Sequence, residues 1–144
     1  METVAWRDLA RVLLTMEMGD QTSLAALPAA AERAFQKLCR LLAELVTRTG
    51  CQALVARALH LTRFEFPFLA GVRATTNRDV PLEGLQESLG DVEPAHAHEG
   101  LVLLLANLIA LLVTFIGEGV TLRLLADVWP DMPREQPGSE RREA

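Results

Sequence analysis

Residues 101–116 read LVLLLANLIALLVTFI, sixteen positions with no charge and only Asn107 and Thr114 as polar side chains, framed by Gly100 and Gly117. Such a run is either a helix apolar on every side at the middle of a bundle or a membrane span. The window 101–120 just meets the length of about twenty residues that a span needs. Its flanks argue the other way. The N-terminal side carries Glu93, His96, His98 and Glu99 where Lys or Arg anchors belong, and Glu118 falls inside the window. The remainder of the chain supplies one-faced amphipathic segments whose apolar sides need a central element to cover. The leading reading is therefore the buried central helix of a soluble bundle, with one span at 101–120 as the alternative.

The apolar pattern extends beyond the run. Glu93-Pro94 supplies a helix start, and Pro130 stops a pattern that persists to Trp129. A straight helix of that length would be roughly 50 Å long, more than a small domain can enclose, so a break is expected near Gly117–Gly119. At about 100° per residue, Asn107, Thr114, Glu118 and Thr121 fall within an arc of about 60°, bordered by Ala110 and Gly117. That strip reads as a solvent-grazing edge, as a seam for a close-packed helix, or as the lining of a small pocket with Glu118 as its functional group.

Four further helices precede it. The first runs from about Val4 to Met18, with Trp6, Leu9, Leu13 and Met16 on one face and Arg7 and Arg11 facing away. Leu27-Pro28 opens the clearest one: Ala31, Phe35, Leu38, Leu42 and Leu45 step by four and three, with Gly50 as the expected C-terminal cap. A third spans Cys51 to about Arg63 and should bury Leu54, Ala58 and Leu61. Pro67 then disfavours helix at Phe66, in a segment, Phe64–Leu69, that holds three of the chain's five Phe residues. After a polar loop over 74–79, Pro81 starts a short helix ending near Gly90, with Leu82, Leu85 and Leu89 inward.

Composition agrees. Apolar residues make up 50% of the 144 and aromatics 5%, with no Tyr; a Leu- and Ala-rich chain poor in strand-forming aromatics predicts an all-α fold. The expectation is one helical bundle of five or six helices over residues 1–130, followed by a disordered charged and Pro-rich tail over 131–144. Net charge is −5, and the excess acid lies within 64–122. A nucleic-acid partner, which needs concentrated basic surface, is therefore not expected. Cys39 and Cys51 have neither a disulfide-framework nor a zinc spacing, and read as small core residues of a reducing compartment. With no basic leader ahead of an apolar core at the N-terminus, a cytoplasmic location is expected.

No catalytic constellation emerges. His96 and His98 point about 200° apart on a helix, so one helical face cannot chelate with both. Gly117-Glu118-Gly119 lacks the strand and further glycines of a phosphate loop. The spacing of Cys51 and Arg57 matches a cysteine-based phosphate loop, but the intervening QALVA is apolar and helix-forming. No Ser sits in a nucleophile motif. Neither an enzyme, a cofactor nor a metal is expected. The expected function is an adaptor or regulatory module acting through protein contact, plausibly with its own copies. Its candidate contacts are Phe64, Phe66 and Phe68 together with Asn107, Thr114, Glu118 and Thr121. The alternative is a ligand-sensing domain with a pocket between Glu118 and the Phe64–Phe68 cluster.

Overall fold

A computed structural model describes residues 2–19, 26–77 and 80–132, with side chains from Trp6 onward. Its helices are α1 (Glu2–Met18), α2 (Leu27–Leu45), α3 (Arg48–Arg63), α4 (Leu85–Leu89), α5 (Pro94–Ile116) and α6 (Glu118–Val128). A 3-10 turn over Pro67–Gly71 and a minimal antiparallel hairpin, β1 (Arg73–Ala74) on β2 (Leu82–Glu83), link α3 to α4. The fold is all-α, as its composition predicts. The expected disordered tail falls outside the described residues except for Asp131 and Met132, and Met132 is buried against the core.

The run that poses the membrane question is the centre of the molecule. Six consecutive residues, Leu101 to Ala106, are buried, which covers every direction around the helix axis. α5 packs chiefly on α1 and α3, and α6 folds back onto it. It is long and apolar enough to cross a bilayer, yet 56% of its most apolar window lies inside the protein. Burial is uneven along its length. After Leu112 the same apolar sequence emerges: Val113 and Ile116 are half-buried, and Thr114 and Phe115 are exposed.

The expected break falls at Gly117, whose φ of 92° and ψ of 157° lie in a region that residues with a Cβ essentially never occupy. At the other end, the Glu93 side chain accepts from the backbone N–H of His96 at 3.2 Å, and Pro94 occupies the first turn, where a missing N–H costs nothing.

Several boundaries and faces differ from the sequence reading. α2 ends at Leu45, so Leu45 is 54% exposed and outside the core. Gly50 does not cap α2. It lies in the first turn of α3, where its N–H donates to Thr47 Oγ1 at 3.0 Å and makes Thr47 the N-cap. α3 buries Cys51, Val55, Ala58, Leu59 and Thr62, a face rotated by about one residue from the expected one, leaving Leu54 and Leu61 half-buried. On α1, Ala10, Leu14 and Met18 join Trp6 and Leu13 in the core, whereas Leu9 and Met16 are half-buried. Arg11 does not face away. It forms a two-pronged contact with Glu99 of α5, the shorter bond 2.6 Å long. Pro81 does not start a helix either: Leu82 pairs with Ala74 across the hairpin, and α4 begins only at Leu85. Leu82, Leu85 and Leu89 are all buried as expected.

One carboxylate closes the bundle. The Glu17 side chain, 5% exposed at the end of α1, accepts from Lys37 Nζ at 2.9 Å and Arg33 Nε at 3.0 Å on α2. It also accepts from Trp129 Nε1 at 3.0 Å, just beyond α6. Burial pushes this carboxyl up, but the bonds from Lys37, Trp129 and Arg33 outweigh it and hold it below the usual carboxylate range. A depressed value in the folded state means that the unfolded chain binds the proton more tightly. The contribution is therefore complete above the ordinary carboxylate range and is lost as pH falls through the lower, folded value.

Two outcomes follow from these contacts. Glu17→Gln should lower stability by about 1–3 kcal/mol at about pH 7, and the gap in Tm from the parent should shrink as pH falls below the ordinary carboxylate range; a gap independent of pH would contradict the assignment. Along α5, Leu104→Ala should cost about 3–4 kcal/mol in urea unfolding and Phe115→Ala no more than about 0.5 kcal/mol.

Candidate functional site

The seven candidate residues do not converge on one place. Phe64 caps the end of α3 and is 79% exposed, its ring T-shaped to that of His60 with centroids 5.3 Å apart. Pro67 turns the chain immediately afterwards, so Phe66 and Phe68 point inward. Their rings lie 5.9 Å apart and both stack near His96, at 5.1 and 5.4 Å. The absent side chain of Gly100 makes this possible. A Cβ there would come within 2.5 Å of Phe68 Cζ. The aromatic segment thus divides into an inward pair seated on the first turns of α5 and one outward ring.

The polar strip divides as well. Asn107 is half-buried, and its Nδ2 donates to Thr62 Oγ1 of α3 at 3.0 Å, while the Thr62 hydroxyl donates to the Ala58 carbonyl at 2.7 Å. This is the polar pair of a helix–helix seam, set within the α3–α5 contact. Thr114 is exposed and bonds back to the Ala110 carbonyl at 3.1 Å. Thr121 is fully buried in α6, its hydroxyl donating to the Gly117 carbonyl at 2.7 Å. Glu118 is exposed at the first position of α6. The turn at Gly117 redirects the helix axis, so residues 118 and 121 do not continue the strip of 107 and 114.

Glu118 and the Phe66–Phe68 pair lie toward opposite ends of α5. Gly100 and Glu118 are separated by most of α5, roughly 27 Å at 1.5 Å per residue. A small cleft of about 160 Å³ lies against α6, lined by Leu122, Arg123, Ala126 and Met132. It falls below the range of about 300–1,000 Å³ usual for small-molecule sites. Among the described residues, no three His, Cys, Asp or Glu side chains converge as metal ligands. Cys51 through Arg57 is continuous helix, so their spacing builds no phosphate loop.

Two groupings escaped the sequence reading. Besides Phe64, large apolar side chains are exposed at Val12, Leu45, Val80 and Phe115, and of these the pattern of α2 would have buried Leu45. The two cysteines are neighbours: Cys39 of α2 and Cys51 of α3, each 4% exposed, place their Sγ atoms 2.6 Å apart. Contact with Cys39 lowers the Cys51 thiol from its ordinary value, and contact with Cys51, together with burial, pushes Cys39 up. One proton therefore leaves the pair more easily than the second.

No protein-family model, curated protein or solved structure matches the chain. Its chemistry is read from its own residues.

The Asn107–Thr62 contact gives a measurable coupling. Asn107→Ala and Thr62→Val should each destabilise by about 1–2 kcal/mol. The double variant should cost less than their combined effect, by about 0.5–1 kcal/mol in denaturant unfolding. Strict additivity would remove the pair from the seam.

Proposed function

We propose that the chain is a helical interaction module that works through contact with protein, its own copies included, rather than by catalysis. The observation that carries this reading is the course of α5. The run of 101–116 is enclosed over about its first three turns and then exposes apolar surface, with Phe115 at 62% exposure. Sequence continuity would let a core helix stop or turn polar at Leu112. Instead, 113–116 stays apolar except for Thr114. Apolar surface of this kind, beyond what one core covers, marks contact sites.

Charge favours a second copy as one partner. The chain carries a net charge of −5, whereas the emerging end of α5, residues 113–117, carries none. Two like-charged molecules approach with least repulsion through an uncharged patch, and a two-fold contact brings the same patch from each copy together. Phe64 offers a second exposed aromatic, with the rigid, large contact area that recognition surfaces favour. The ligand-sensing alternative finds less support, because Glu118 and the inward Phe pair lie far apart. A bilayer span would require the enclosed half of α5 to leave its partners α1 and α3.

Light scattering coupled to size exclusion, over roughly a hundredfold range of concentration, tests the proposal. The parent chain should rise in mass with concentration, and Phe115→Glu should hold the mass at one chain while leaving the helical circular dichroism unchanged. A single-chain mass for the parent throughout, with no binding of an apolar dye, would overturn the reading.

A further inference from the structure

We propose that Cys39 and Cys51 are a reversible dithiol–disulfide pair whose oxidation locks the elbow between α2 and α3. The two side chains come from consecutive helices joined only by Val46 and Thr47, and the fold holds their sulfurs in contact. They are the only cysteines in the chain. Both are buried in the same apolar cluster, which favours pairing with each other over pairing with another molecule. Neither thiol takes part in the contact surface proposed above, so this inference stands apart from it.

Access comes through the end of a helix. Cys51 lies in the first turn of α3, where Thr47 supplies the only side-chain cap. Helix ends open more readily than their interiors, so fraying of that single turn presents Cys51 without unfolding the bundle. Its position in the first turn also favours the thiolate, which the contact with Cys39 supports.

The oxidant is a low-molecular-weight disulfide, R–S–S–R. The Cys51 thiolate attacks one sulfur, the external S–S bond breaks, and R–S⁻ leaves and takes up a proton. Cys39 then loses its proton to water, and its thiolate attacks Cys51 Sγ in the mixed disulfide, expelling the second R–S⁻, which is protonated in turn. Two protein thiols are oxidised by two electrons, and one external disulfide is reduced to two thiols. The bond closes the loop from 39 to 51 across the elbow, which removes freedom from the unfolded chain. It also fixes the direction in which exposed Leu45 leaves α2.

The test uses the intact chain in buffers of stepped oxidised-to-reduced glutathione ratio, followed by unfolding in an alkylating reagent and intact-mass measurement. The expected result is a single transition from a doubly alkylated chain to an unalkylated one, two hydrogens lighter, with no gain in chain number. Its Tm should rise by roughly 5–10 °C, and reduction should reverse both changes. Two alkylatable thiols at every ratio would overturn the proposal, as would a stable glutathione adduct or an interchain dimer. A disulfide that forms without raising Tm would overturn the lock.

Discussion

A helix apolar on every side has to be surrounded, and that demand on α5 organises the other elements. Each buried Leu of 101–106 gains about 2 kcal/mol only if water is excluded from its side of the helix. One neighbour covers one direction, so full enclosure needs several. α1 and α3 supply two, and α6 returns as another once Gly117 has turned the chain. The amphipathic stripes of the flanking helices are the complement of this central surface. Gly100 extends the same logic: with no side chain it lets Phe68 lie against the helix, so the segment after α3 becomes part of the wall.

Apolar enclosure is non-directional and would tolerate several arrangements of the same helices. Directional contacts select among them. Asn107 and Thr62 satisfy each other only at one register of α3 against α5, because a slip would leave a half-buried amide without its acceptor. Glu17 has the same effect at the far side, where Lys37, Arg33 and Trp129 must arrive together for its buried carboxylate to be satisfied. The Arg11–Glu99 pair is more exposed and contributes less, although it also ties α1 to α5.

What the sequence made legible is what depends on local periodicity. The helical class, the central place of 101–116 and the break near Gly117 all follow from residue spacing and from glycine's backbone freedom. Errors arose wherever one residue at a boundary outweighed the pattern. Leu45 fits the stripe of α2 by spacing, but Thr47 starts a new helix and leaves Leu45 outside. One continuous helical wheel joins Asn107 to Thr121 in a single strip, and the turn at Gly117 divides it. Phe64, Phe66 and Phe68 look alike as letters. Pro67 and Gly100 separate the inward pair from the outward ring. Contacts such as Glu17 with Trp129, or Cys39 with Cys51, had no local signal, because each partner belongs to a different element.

The proposed function turns on where enclosure ends. A catalytic site would require polar groups held at a concavity, since reactive side chains need both orientation and exclusion of water. Here Asn107 bonds Thr62 and Glu17 bonds three donors across helices, while Thr121 bonds back to the Gly117 carbonyl within its own first turn. Large apolar side chains are exposed at Val12, Leu45, Phe64, Val80 and Phe115. Such side chains offer area rather than chemistry. Area is useful to another macromolecule, because only a broad complementary surface can cover several separated apolar side chains at once.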